Sequence, residues 1–297
     1  MDPDVASVAI PLSVADVERA SVDADSSPAR RHLVSALRDG SVELPVLPRV
    51  AHEVMLAAQD PARGAAEVAR HIERDPALCA TVLRSANSAI YYTGGGGVDI
   101  MSARQAVARL GMLEVASLAM TAAVRTAVHD KEPHVPRLTA WWRSSLATGL
   151  FAKEIARTRR QAVDSAFLCG LLRQLGVPVV LRILGRGTAP ADEAEASALL
   201  EEFSIPAGLL LCDGWRLSAA VRATVAAGSD AAPAPTFGDH VSTAQLAAAF
   251  AAALDAPESV ATGSCAPQIE SLNLYPEDLD RIVAVSATIA RTVETMA

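Results

Sequence analysis

Apolar residues in this chain recur at three- and four-residue spacing, and nowhere do they alternate convincingly with polar ones. Val50, Val54 and Leu56 make one stripe. Ala65, Val68, Ala69 and Ile72 make the next, and Leu78, Val82, Leu83 and Ala86 a third. Such spacing builds helices that bury one face. A chain assembled only from such segments is all-α, with its core formed where the buried faces meet. Val177-Pro178-Val179-Val180 is β-branched, but so short a run interrupted by Pro does not make a strand.

Punctuation between the stripes sets the organisation. Asp75-Pro76 marks a sharp restart: Asp75 can accept N–H groups at a helix start, and Pro76 sits where a missing donor costs nothing. Asn87-Ser88 ends the helix that follows. Leu110-Gly111 is expected to break the run from Ile100 to Val128. A long helix is expected over 137–160, then one that Asp164 can cap, carrying Phe167, Leu168, Leu171 and Leu172. Further helices fit 193–203, 206–213, 217–227, 242–254 and 276–295. Residues 1–40 read as a polar, partly flexible extension with a short helix at 29–38. Residues 41–132 read as one helical lobe, Pro133 and Pro136 as a hinge, and 137–297 as a second lobe.

Composition closes off several functions. The net charge is −8, which argues against a general nucleic-acid binder. Residues 76–83, where a DNA-reading helix would have to lie, carry no charge. The most apolar candidate for a membrane span, Leu175 to Leu184, is short and contains Pro178 and Arg182. The N-terminus lacks the basic start of a secretory signal. Cys79, Cys169, Cys212 and Cys265 are far apart and form no Cys-x-x-Cys pair, which fits buried thiols in a reducing cytoplasm.

Several segments, in order, resemble the HDOD family of bacterial regulatory domains. Leu44-Pro45 with Leu47-Pro48 is similar to its opening motif. Ile72 with Asp75-Pro76 and Leu78, then Leu83 with Asn87-Ser88 and Tyr91, resembles its helix-pair signature. Ala106-Val107 with Leu110-Gly111 follows. Trp142-Arg143-Ser144-Ser145 resembles the start of its HD-like lobe. Phe167-Leu168-Cys169-Gly170-Leu171-Leu172-Arg173-Gln174-Leu175-Gly176 resembles Phe-Leu-x-Gly-Leu-Leu-His-Asp-Ile-Gly. Trp215-Arg216-Leu217 and Leu274 to Leu279 resemble later segments. The resemblance spans about 41–297. It implies an all-α, multi-helix bundle related to metal-dependent HD phosphohydrolases, and a role in bacterial signal transduction.

The departures from that pattern concern chemistry. HD enzymes gather imidazoles and carboxylates around metal ions that activate water. At the matching positions this chain has Ser144, Arg173, Gln174, Ala227 and Gly228. A guanidinium has no lone pair for a metal, and Ala and Gly side chains carry no ligand atom. The expectation is no metal, no cofactor and no catalysis. The chain would be a scaffold for a protein partner such as a sensor kinase, a response regulator or a cyclic-dinucleotide enzyme. Two alternatives stand beside it: a degenerate phosphohydrolase using other ligands, and a nucleotide or cyclic-dinucleotide sensor without turnover.

Other candidates are weaker in kind. His129-Asp130 is a true His-Asp dipeptide, but Lys131-Glu132-Pro133 follows, as at a solvated helix end. Gly94 to Gly97 lack the strand-to-helix setting and the Lys of a phosphate loop. Arg143, Lys153, Arg157, Arg159 and Arg160 form either a solvated helix end or a patch for an acidic partner. Asn87 either closes its helix end or faces a groove between the lobes. The residues expected to line that groove are Arg84, Asn87, Tyr91, Trp142 and Arg173.

Overall fold

Sixteen helices and no strand appear among the described residues of a computed structural model, which are 26–38, 49–60, 62–74, 76–87, 100–119, 134–187, 191–215, 217–228, 237–261 and 265–296. They are α1 (Pro28–Arg38), α2 (Arg49–Gln59), α3 (Ala65–Ile72), α4 (Pro76–Ala86) and α5 (Ala103–Leu110). Residues 112–119 form α6. Then come α7 (Val135–Thr158), α8 (Val163–Leu172), α9 (Gly176–Arg186), α10 (Glu193–Gly214), α11 (Ala219–Ala227) and α12 (Gly238–Ala252). The chain closes with α13 (Glu258–Ala261), α14 (Ala266–Ser271), α15 (Pro276–Ala284) and α16 (Ser286–Met296). The chain is thus all-α.

Local chemistry explains most of the boundaries. Ser102, Asp192 and Ser218 accept hydrogen bonds from the first-turn amides of Gln105, Glu195 and Val221, each satisfying an orphan donor. The expected break at Leu110-Gly111 is present, with Gly111 at φ +88° where a side chain would be strained. The structure differs from the sequence expectation at several places: α9, α13 and α14 are additional helices, and α12 begins at Gly238 rather than at 242. Asp164 does not cap α8: the helix begins one residue earlier, at Val163, and Asp164 lies in its first turn. Residues 193–214 form one helix rather than two, with Pro206 inside it. Pro206 removes one helical donor and crowds the carbonyl of Glu202, and α10 is held as one helix by packing on α9 and α11. The closing helix is split at Val285. Val177-Pro178-Val179-Val180 lies in the first half of α9.

The extensive packing falls into two sets. Helices α2 to α5 pack on one another, and α7 to α12 pack on one another with α14, α15 and α16 added. Helix α1 docks on α9, burying Ala29, Leu33, Val34 and Leu37. That part of the expected polar extension therefore belongs to the packed core. Arg30 reinforces it with a two-pronged bond to Glu202, its second contact at 2.7 Å, and by lying over the Phe203 ring.

Helix α7 is the centre of the second set, lying between α8, α12 and α16. Phe151 stacks on Phe250 with ring centroids 5.4 Å apart. Gly170 sets the approach of α8, since a Cβ there would meet the Thr148 carbonyl oxygen at 2.8 Å. The stretch Val163–Arg186 is long and apolar enough to cross a membrane, but 78% of its apolar window is buried inside the fold. The turn after Leu172 divides it into α8 and α9.

Candidate functional site

Of the positions matching the HD ligand set, Arg173, Gln174 and Gly228 meet at one corner of the second set of helices. Helices α7 and α8 run antiparallel, with Gly149 against Phe167 and Thr148 against Gly170. At the far end Trp141 Nε1 donates to the Gln174 carbonyl at 2.9 Å. Helix α8 ends at Leu172, and Arg173-Gln174-Leu175 turn the chain into α9. From that turn Arg173 Nη1 donates to the Gly228 carbonyl at 3.2 Å. Gly228 follows α11 directly, at φ +56°. The guanidinium thus crosses from the α8–α9 turn to the end of α11.

Arg173, Gln174 and Gly228 line one cavity of about 260 Å³, with Val177, Leu200, Glu201, Ser204 and Ile205 completing it. Ala227 immediately precedes Gly228. Ser144 is exposed on α7 one turn after Trp141, and its carbonyl accepts from Thr148. The residues do not fit a metal. Arg173 is a cation without a lone pair, and Glu201 is the one carboxylate in the lining. Among the described residues no group of three His, Cys, Asp or Glu is placed to hold a metal ion. His129-Asp130 lies outside the described residues, as do Gly94 to Gly97.

The expected groove is not one surface. Asn87 Nδ2 donates to the Ile100 carbonyl at 2.9 Å, and the Ile100 amide donates to Asn87 Oδ1 at 2.8 Å. Both ends of its amide are engaged in closing the chain on itself. Arg84 is exposed and donates to Thr81 Oγ1 at 3.1 Å. Trp142 is 2% exposed, not a surface anchor. Adjacent positions diverge by about 100°, but α7 has neighbours on several sides, so Trp141 is buried too. None of Arg84, Asn87 and Trp142 lines the cavity that holds Arg173. Tyr91 lies outside the described residues.

A second polar cluster escaped the sequence reading. Lys153, expected in a basic patch with Arg157, instead points inward. Its Nζ donates to Glu114 Oε1 at 2.7 Å, with side chains 4% and 2% exposed. Nζ also lies 5.9 Å from the centre of the Phe167 ring. Burial pushes the Lys153 ammonium below its usual range, and Glu114 opposes that shift. Asp164 stands close by, its carboxyl raised first by burial and then by Glu114. The sequence signal was a Glu inside the apolar run Met112 to Ala119. Arg157 pairs with Glu154 on its own helix.

None of the four cysteines is joined in a disulfide; Cys169 and Cys212 are buried, Cys79 and Cys265 half-buried. Burial pushes the Cys169 thiol to about 11 and that of Cys212 to about 12, so neither is a reactive thiolate at neutral pH.

The HDOD domain family matches residues 44–231. An HDOD domain protein of unknown function from Geobacter sulfurreducens shares the fold at a TM-score of 0.68, with 21% identity over 91% of this chain and 97% of that one. A protein of Shewanella amazonensis SB2B, provisionally assigned as a metal-dependent phosphohydrolase, superposes at 0.67, with 22% identity over 90% of this chain and 100% of that one. At these identities the likeness is one of fold. An uncharacterized protein of Treponema pallidum (strain Nichols) is 27% identical over 146 residues, which is 48% of this chain. The chain covers only 27% of that relative's length. The fold, the ordered motifs and the family match agree: the chain belongs to the HDOD family.

Proposed function

We propose that this chain is a non-catalytic regulatory module that serves bacterial signal transduction in the cytoplasm as a scaffold for a protein partner. A sensor kinase, a response regulator or a cyclic-dinucleotide enzyme is the class of partner that family membership suggests. The observation that carries the reading is the bond from Arg173 Nη1 to the Gly228 carbonyl. It puts a cation and a cross-link where a hydrolase of this fold needs electron-pair donors around a metal. The same bond ties the α8–α9 turn to α11, so these positions support the fold. Packing and shape on the outer helical faces are what the molecule then has to offer.

The test is metal analysis of the purified protein together with phosphodiesterase assays in manganese, on a generic phosphodiester and on cyclic dinucleotides. The expected result is no stoichiometric metal and no turnover above background. Turnover that a chelator abolishes overturns the reading. Co-purification from the native host, repeated with a variant altered on an outer helical face, identifies the partner.

The cavity beside Arg173 favours one second reading, a nucleotide sensor without turnover. Its mixed lining of guanidinium, carboxylate, amide, hydroxyl and apolar groups suits a small polar ligand that also offers hydrogen-bond donors to Glu201. Calorimetry against cyclic dinucleotides, with Arg173→Ala as control, decides it. Absence of heat at high ligand concentration removes it.

A further inference from the structure

Met101 is 80% exposed and Tyr275 is 68% exposed. A lone apolar side chain on a surface asks for no explanation. Each of these two, however, stands among charges of a single sign, and the signs are opposite. Met101 sits where α4 meets α5: Asn87 follows α4 and holds both backbone groups of Ile100, at 2.9 and 2.8 Å. Arg84 is exposed one turn before Asn87, Arg104 is exposed in the first turn of α5, and Arg109 is exposed further along the same helix. Arg84 donates to the Thr81 hydroxyl, and none of the three arginines forms an ion pair among the described residues. The described residues between 76 and 119 include one carboxylate, Glu114, which is buried against Lys153.

Tyr275 sits in the turn between α14 and α15. That turn is drawn tight by the Leu274 amide on the Ile269 carbonyl at 3.0 Å and by the Asn273 amide on the Glu270 carbonyl at 2.9 Å. Glu270 before it and Glu277 and Asp280 after it are exposed and form no ion pair among the described residues. Asp278 is engaged by the Tyr275 amide and by Arg281. From residue 231 onward the sequence carries eight carboxylate side chains against two arginines, so six of the eight net negative charges lie at this end.

An apolar centre with a polar rim is the anatomy of a protein interface. A Met thioether packs favourably on an aromatic ring, and so does a guanidinium. Ion pairs at such a rim add little to affinity, but they fix which faces meet and are screened by salt. We propose that the Met101 face of one copy docks on the Tyr275 face of a second copy, through a weak, salt-sensitive contact in which arginines meet carboxylates around the two apolar side chains. The two faces differ, so a copy that has lost one still offers the other. The Arg173 cavity takes no part. The contact is independent of the scaffold reading, since metal-dependent turnover would sink that reading and leave this one standing.

Sedimentation equilibrium on the full chain tests it. The average mass of the wild type should rise with concentration at low salt and return to that of the monomer at high salt. Met101→Glu with Arg104→Glu removes the first face, and Tyr275→Lys with Asp280→Lys removes the second. Each variant alone should associate at least tenfold more weakly than the wild type. Mixed in equal amounts, the two should form a one-to-one dimer and nothing larger, because each keeps the face that the other has lost. A general effect of charge would not produce that rescue. Should either variant fail to fold, Arg104→Gln or Asp280→Asn takes its place. Three results overturn the proposal: a wild type that stays monomeric at every concentration, variants that associate as the wild type does, or a mixture no more associated than its components.

Discussion

A Cβ placed on Gly176 would sit 1.8 Å from the carbonyl oxygen of Ser204. Helices α9 and α10 therefore touch backbone to backbone, and no side chain of any size fits between them. Gly176→Ala should force the helices apart and cost about 3 kcal/mol, as overpacking of a rigid contact does. Gly208→Ala, where the first obstacle is the Val225 Cγ1 at 2.8 Å, should cost less, because a side chain can rotate away. Urea unfolding of the two variants checks the order.

Arg173 is held to the Gly228 carbonyl by a charged donor. Arg173→Met keeps the aliphatic stem and removes the bond. A loss of about 1–2 kcal/mol is expected, since a partly buried carbonyl loses its partner. Thermal melting measures it.

Restoring the dipeptide alone should not restore chemistry. Arg173→His with Gln174→Asp supplies an imidazole and a carboxylate, but Ser144, Ala227 and Gly228 still lack strong ligands. Manganese should leave the melting temperature of this variant unchanged. A bound ion at a hundred times its dissociation constant would add about 2.7 kcal/mol. Manganese-dependent hydrolysis should also be missing.

Asp164 sets a pH dependence. Its carboxyl lies above the ordinary 3.8 because of burial first and the Glu114 carboxylate second, with Lys153 and Arg157 pulling the other way. The folded protein therefore holds this proton more tightly than the unfolded chain. Stability falls as pH rises from the unfolded value through the folded one, and stays lower at neutral pH. Asp164→Asn should raise the urea midpoint at neutral pH. The advantage should vanish below 3.8, where both states of the wild type are protonated. A midpoint difference that is constant with pH refutes the assignment.

The helices were legible because apolar spacing survives in a single sequence. Ala65, Val68, Ala69 and Ile72 read as one stripe, and Val68, Ala69 and Ile72 are buried with Ala65 half-buried beside them. Motif order names Ser144, Arg173, Gln174, Ala227 and Gly228 as the HD-matching positions, and of these Arg173, Gln174 and Gly228 line one cavity while Ser144 and Ala227 do not. What failed is what depends on partners far along the chain. Lys153 looked like a surface cation because its neighbours in sequence are charged, and its true partner lies 39 residues away. Trp142 looked exposable because helical geometry separates it from Trp141, and nothing local reveals that α7 is enclosed on both those sides. Pro206 looked like a boundary because a local rule cannot weigh the helices that pack on α10.

Asn87 grips both backbone groups of Ile100. A side-chain amide thereby does between α4 and α5 what paired backbone groups do in a ladder: it fixes where the chain resumes at Ile100 against where α4 ends, so the placing of these two helices rests on one side chain as well as on packing.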